Sequence, residues 1–218
     1  MEQENKKCFV ICPLGKDNSE IREESELVME LVIKPAAEAC GYDARRAIDL
    51  NIPATLTNMI ISEVINAPIL IADLTSGNPN VLYELAIRHA AKKPAIQIIR
   101  DGEQIPFDVK DQNTIEYAIK SKRKRNEAII KIIKQIKSSE ADPTINNPIT
   151  IATTFEALAK SSDPVEKGYA EIMNRLEEIK NIMLSTGEQE ELNAAAIDNS
   201  SAGFIAPSQK RASTNKAD

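Results

Sequence analysis

Five short apolar segments punctuate the first 120 residues, and between them the hydrophobic positions recur at helical spacing. Cys8-Phe-Val-Ile-Cys12 is a continuous apolar run stopped by Pro13-Leu14-Gly15, the form of a strand buried on both faces. From Glu20 to Cys40, Ile21, Val28, Leu31, Val32, Ala36 and Ala39 fall on a helical face that Gly41 ends, and Pro35 predicts a kink near the preceding turn. Tyr42–Ala47 reads as a weaker strand, and Leu56, Met59, Ile60 and Val64 line one face of a helix over 54–66. Pro68–Asp73 and Pro94–Ile99 are further buried strands, and Ile115–Tyr117 is a short last one. Between them a helix of about 79–92 opens with Asn78 as N-cap and Pro79 at the first helical position. Ala128, Ile129, Ile132, Ile133 and Ile136 share a side of a helix over Lys122–Lys137.

Apolar strands alternating with helices signal a parallel sheet covered on both faces. Right-handed crossovers and five strands favour the doubly wound, flavodoxin-like order. The expected fold class is therefore α/β, with a helical extension after residue 145. In that extension Val165, Tyr169, Ile172, Leu176, Ile179 and Met183 are spaced 4, 3, 4, 3, 4. Such a stripe serves either a helix packed back on the domain or a short coiled coil that makes a homo-oligomer. From Thr186 onward, Asn, Ser, Ala, Lys and Glu dominate without period, the pattern of a disordered tail. The expected division is an α/β domain over 1–145, a helical extension over 146–185 and a tail over 186–218.

Composition narrows the chemistry. A single histidine, His89, rules out multi-histidine zinc sites. The seven glycines form neither G-x-G-x-x-G nor a Walker loop, so no cofactor or metal is called for and any catalysis falls to carboxylates. A net charge of −6 argues against broad nucleic-acid binding. Cys8, Cys12 and Cys40 show no C-x-x-C pair and read as free thiols in a reducing compartment. MEQENKK leads into only five apolar residues, and no run approaches the ~20 of a membrane helix. The expected setting is the cytoplasm, without a membrane.

Ligands of doubly wound sheets bind at the carboxyl ends of the strands, beside the point where strand order reverses. Pro13, Leu14 and Gly15 leave the first strand there, Asp73 ends the third strand, and the Asn78–Asn80 helix start follows. That helix carries Glu84 beside Val81, Leu85 and Arg88, at the border of its apolar face. Asp73 and Glu84 are thus expected at one crevice. Each also has a plainer reading: Asp73 can serve the turn that follows it, and Glu84 can be a solvated helix residue. Arg45 and Arg46, near the carboxyl end of the second strand, and Arg22, at the start of the first long helix, are candidate partners for a ligand's phosphate or carboxylate. His89 is expected to make a local hydrogen bond.

The stretch Ile71-Ala-Asp-Leu-Thr-Ser-Gly-Asn-Pro-Asn-Val-Leu-Tyr-Glu-Leu-Ala-Ile-Arg-His89 resembles the signature of the nucleoside 2-deoxyribosyltransferase-like proteins, a superfamily related to TIR domains. Phe9–Gly15, Val32–Ala36 and Ile105-Pro-Phe-Asp108 match its pattern in order, over about residues 8–120. The resemblance implies cleavage of an N-glycosidic bond in a nucleoside, a nucleotide or, as in TIR relatives, NAD as substrate, in some relatives as a toxin or defence effector. It implies Glu84 as the catalytic glutamate, Asp73 as its support, and Asn80, Asn78 and Asp108 as substrate-binding residues. Ala86 stands where the family often has glycine, and Arg45–Leu50 departs from its usual segment. Many relatives of this kind are non-catalytic nucleotide-binding modules, which is the alternative reading.

Overall fold

The computed structural model describes residues 6–50, 56–142, 147–176, 178, 179 and 182. Five strands form one all-parallel sheet: β1 (Lys6–Ile11), β2 (Tyr42–Arg46), β3 (Ile69–Asp73), β4 (Ala95–Arg100) and β5 (Thr114–Tyr117). Their order is β2-β1-β3-β4-β5, the expected flavodoxin-like doubly wound fold. The chain steps from β1 out to β2 and then crosses back over β1 to β3 and on to β4 and β5, so strand order reverses between β1 and β3.

Alternation along the strands sorts side chains onto two faces. Cys8, Val10, Ile69, Ile71, Ile96 and Ile98 pack with Val28, Val32, Ile132 and Ile136. Those helical residues come from α1 (Glu20–Val28), the turn after it, and α5 (Lys122–Ala141). Phe9, Ile11, Leu70, Ala72 and Leu74 pack on the other face with Val64, Val81 and Leu85. Those come from α3 (Leu56–Asn66) and α4 (Pro79–Ala90).

The kink expected near Pro35 takes the form of a widened turn. α1 runs into a π-helical segment over Met29–Ile33 and then into α2 (Lys34–Glu38), with the Lys34 amide donating to the Met29 carbonyl five residues back. Proline removes an N–H and crowds the carbonyl four residues earlier, and the wider winding accommodates both. α6 (Pro148–Lys160) falls within the helical extension expected after residue 145.

The chain divides into two compact units, residues 1–154 and 155–218. In the second, residues 164–176 are helical, and Val165, Tyr169, Ile172, Leu176 and Ile179 are exposed. Met183 and the tail expected over 186–218 lie outside the described residues. Among the described residues, no helix is long and apolar enough to cross a membrane.

One buried cation holds the second face together. Arg88 on α4 has no solvent exposure, and no described carboxylate pairs with it. Its Nη1 donates to the carbonyls of Val64 (2.8 Å), Ile65 (3.4 Å) and Ala67 (2.8 Å), and Nη2 to Pro68 (3.2 Å). Nε and Nη2 both donate to Pro94 (3.0 and 2.9 Å). These are the carbonyls that the end of α3 and the entries to β3 and β4 leave without amide partners. Burial pushes the guanidinium down to about 10, so it remains a cation at neutral pH. Arg88→Met strands the carbonyls without donors and is expected to cost about 3–5 kcal/mol in urea unfolding, with Arg88→Lys recovering only part.

Candidate active site

A cleft of about 570 Å³ opens at the carboxyl end of β1, beside the β1/β3 reversal. Its floor is Phe9–Cys12, one wall is Leu14 and Gly15, another is Thr57, Ile60 and Ile61 of α3, and the last is the start of α4. Ala47, just after β2, completes it.

The Gly15 wall is fixed by backbone chemistry. Gly15 has φ +61°, and a Cβ there would lie 2.5 Å from Ser19 Oγ. That hydroxyl is already committed, donating to the Lys16 carbonyl (2.7 Å) and accepting from the Arg22 amide (3.3 Å) to cap α1. The α4 wall is fixed by Asn78, whose Oδ1 accepts from the Asn80 and Val81 amides (3.0 and 3.4 Å). Pro79 follows at the first helical position, where its missing N–H costs nothing.

Asn78, Asn80, Tyr83 and Glu84 all face the cleft from this helix start. Glu84 is half-buried, and no described residue donates a hydrogen bond to its carboxylate or pairs with it as a cation. Burial alone pushes it up to about 7. Cys12 also lines the cleft, its thiol 3.3 Å from Ser25 Oγ and held protonated by burial, which raises it to about 11.

Asp73 does not join Glu84 there. It lines a separate cavity of about 20 Å³ with Pro13, Glu24, Ser25, Thr75, Ser76 and Tyr117. The reason is strand parity: Asp73 falls on the side of Ile69 and Ile71, whereas α4 and Glu84 lie over the side of Leu70 and Ala72. Its Oδ1 accepts from the Thr75 amide (3.1 Å) and the Thr75 hydroxyl (2.6 Å), the turn-serving role that was the plainer reading. Burial pushes Asp73 up to about 6.

The remaining candidates are placed as follows. Arg46 is buried and bound to its own turn, its Nε and Nη2 donating to Asp49 at 3.2 Å each. Arg22 pairs with Glu26 at 2.8 Å along α1. Asp108 is exposed on a 3-10 turn and is not in the cleft wall. Pro13 lies with Asp73, while Leu14 and Gly15 lie with Glu84. His89 is buried, its ring pushed below the ordinary histidine value by burial, and its carbonyl accepts from Asn147 Nδ2 (3.1 Å). Tyr83 and Thr57 were not foreseen. Tyr83 adjoins Glu84 in the signature, which is the signal that could have found it.

No family model matches the chain, and no curated protein does. Among solved structures, the chain is similar to the CMP N-glycosidase BcmB of Clostridium botulinum, with 16% identity and a TM-score of 0.42 over 58% of this chain and 97% of that one. It is also similar to the constitutive lysine decarboxylase of E. coli, with 15% identity and a TM-score of 0.36 over 77% of this chain and 24% of that one. At these values the likenesses bear on neither activity nor individual residues.

Gly15→Ala must relieve both the positive φ and the Ser19 clash, so it is expected to destabilise by about 1–2 kcal/mol or more. Equilibrium unfolding of the variant measures this cost.

Proposed function

We propose that the protein cleaves the N-glycosidic bond of a nucleoside-type substrate (nucleoside, nucleotide or NAD), with Glu84 at the anomeric carbon. The observation that carries this reading is a desolvated carboxylate, without a partner among the described residues, in the wall of a cleft at the topological switch point. A cleft of that volume suits a small organic ligand, and the resemblance of the surrounding helix start to the deoxyribosyltransferase-like signature supports it.

The chemistry needs little else. As the C–N bond breaks, its electron pair leaves with the base and positive charge develops on the sugar; a neutral nucleobase takes up a proton as it leaves, whereas the cationic nicotinamide of NAD leaves neutral without one. Ionised Glu84 either bonds to the anomeric carbon or stabilises the oxocarbenium ion, and its low-dielectric surroundings strengthen that attraction. Water completes hydrolysis by adding a hydroxyl to the sugar and giving up its other proton; where Glu84 has bonded to the sugar, that bond breaks and its electron pair returns to the carboxylate. A second base completes transfer in the same way. Asn78, Asn80 and Thr57 bring polar groups to the sugar; Tyr83 forms the rim.

The alternative is a nucleotide-binding module that assembles through its C-terminal helix. The exposed stripe of Val165, Tyr169, Ile172 and Leu176 favours that second reading for assembly. If the stripe mediates self-association, Leu176→Glu in the full chain lowers the solution mass; an unchanged mass rejects it.

Incubation with nucleosides, nucleotides and NAD, followed by chromatography of freed base, tests the reaction. Glu84→Gln is expected to lower base release by roughly 10²–10³-fold. Tight nucleotide binding without turnover, undiminished by Glu84→Gln, supports the alternative instead. The nucleophile must be ionised, so activity is expected to rise with pH through about 7. The linkage to stability has the opposite sign. A carboxyl raised from 4.5 to about 7 contributes stability that is full at low pH and lost as pH rises through the folded value. Glu84→Gln is therefore expected to melt above the wild type near pH 8 and alongside it near pH 4.

A further inference from the structure

We propose that in mildly acid solution Asp73 is the neutral acid of a closed ring of three hydrogen bonds with Thr75 and Tyr117, and that Tyr117 thereby positions the turn that launches α4. Three oxygen–oxygen contacts close the ring: Asp73 Oδ1 to Thr75 Oγ1 (2.6 Å), Thr75 Oγ1 to Tyr117 OH (2.8 Å), and Tyr117 OH to Asp73 Oδ2 (3.1 Å). Three contacts need three protons, and the two hydroxyls bring two. With a proton on Asp73 every group is satisfied. The carboxyl O–H donates to Tyr117, Tyr117 donates to Thr75, and Thr75 donates to Asp73 Oδ1. The second lone pair of Thr75 Oγ1 accepts from the Arg100 amide (3.1 Å). With Asp73 ionised both hydroxyls turn toward it, and two oxygens face each other at 2.8 Å without a hydrogen.

Burial and the facing Glu24 favour the neutral state, while the Thr75 amide and the two hydroxyls, as donors, favour the ionised one. Glu24 and Ser25 of α1 and Cys12 after β1 face Asp73, and Glu24 opposes its ionisation. Arg100, the nearest cation of β4, is engaged by Glu24 (2.6 Å) and by Glu103, and Glu103 in turn accepts from the Ser76 amide (2.6 Å). No described cation contacts Asp73. Burial likewise raises its carboxyl, to about 6. Ser76 has φ +64°, a strained value for a residue with a side chain, so the turn between β3 and Asn78 needs an anchor on each side. The ring is one and Glu103 is the other. The proposal is independent of what the cleft binds, and absence of base release leaves it standing.

Thermal unfolding of the full chain against pH, with carboxyl NMR of ¹³C-labelled aspartate, tests it. The side-chain amide introduced by Asp73→Asn presents a donor and an acceptor in the outline of the neutral acid. The melting temperature of Asp73→Asn relative to wild type is therefore expected to rise from about pH 4 to about pH 8, a difference in which the contribution of Glu84 cancels. The sign follows from a folded value of about 6 against 3.8 unfolded: the stability from Asp73 is full below the unfolded value and lost as pH rises through the folded one. The Asp73 carboxyl, identified by its absence in Asp73→Asn, is expected to titrate near 6. Tyr117→Phe removes the link between Asp73 and Thr75 and a donor to the ionised carboxylate, so it is expected to lower the melting point near both pH 5 and pH 8 and to raise the Asp73 midpoint. A midpoint below about 5, a Tyr117→Phe that melts with the wild type or leaves the Asp73 midpoint unchanged, or an Asp73→Asn that fails to fold overturns the proposal.

Discussion

The architecture of the cleft depends on a cation buried without an anion. Arg88 is the only described residue that binds α3, α4 and the entries to β3 and β4 at once, and it does so entirely through carbonyl oxygens. Carbonyl dipoles at a helix end carry a partial negative charge, so the guanidinium finds there what a carboxylate would otherwise supply. Glu84 stands one helical turn before Arg88 on the same helix, so whatever fixes the one fixes the other. The two residues divide the labour of α4: its last turn is locked into the protein, and its first turns face the open cleft.

The two buried carboxyls of this region show how surroundings assign roles to identical chemistry. Asp73 and Glu84 are both raised by burial. Asp73 is surrounded by donors at fixed distances and shapes a turn, whereas Glu84 has no described partner and lines space large enough for a ligand. An acid without a partner keeps its capacity to interact with something that arrives later. The reading of Glu84 as the reactive group rests on that difference.

Much of this was legible in the chain. The five strands, the Asn78–Pro79 helix start and the Gly15 turn follow from local chemistry, in which apolar runs, caps and breakers act on their nearest neighbours. The separation of Asp73 from Glu84 was legible too, in the alternation of Ile69, Leu70, Ile71 and Ala72, but the expectation followed the strand end and not its parity. What lay beyond reach were interactions between segments far apart in sequence. Tyr117 meets Asp73 across 44 residues and Arg88 meets Val64 across 24, and neither has a local pattern to announce it. Arg46 is the converse case: a cation expected to await a ligand is engaged through Nε and Nη2 by Asp49, three residues away, in a turn whose pairing the spacing alone did not reveal, and its buried Nη1 alone is left without a described partner.

The widened turn over Met29–Ile33 bears on how such sequences are read. The buried positions through it are Val28 and Met29, Val32 and Ile33, Ala36 and Ala37, a stripe that repeats every four residues. In an unbroken α-helix four residues advance by about 400°, so such a stripe would slide around the cylinder by about 40° each turn. One turn of looser winding cancels that drift and keeps every pair on the sheet. The interval between hydrophobic residues therefore encodes the pitch of a helix as well as its existence. Deleting a single residue between Met29 and Ile33 would make the wide turn unnecessary: the remaining spacings of three and four residues advance by about 700°, within about 20° of two full turns, and keep Ala36 and Ala37 on the core.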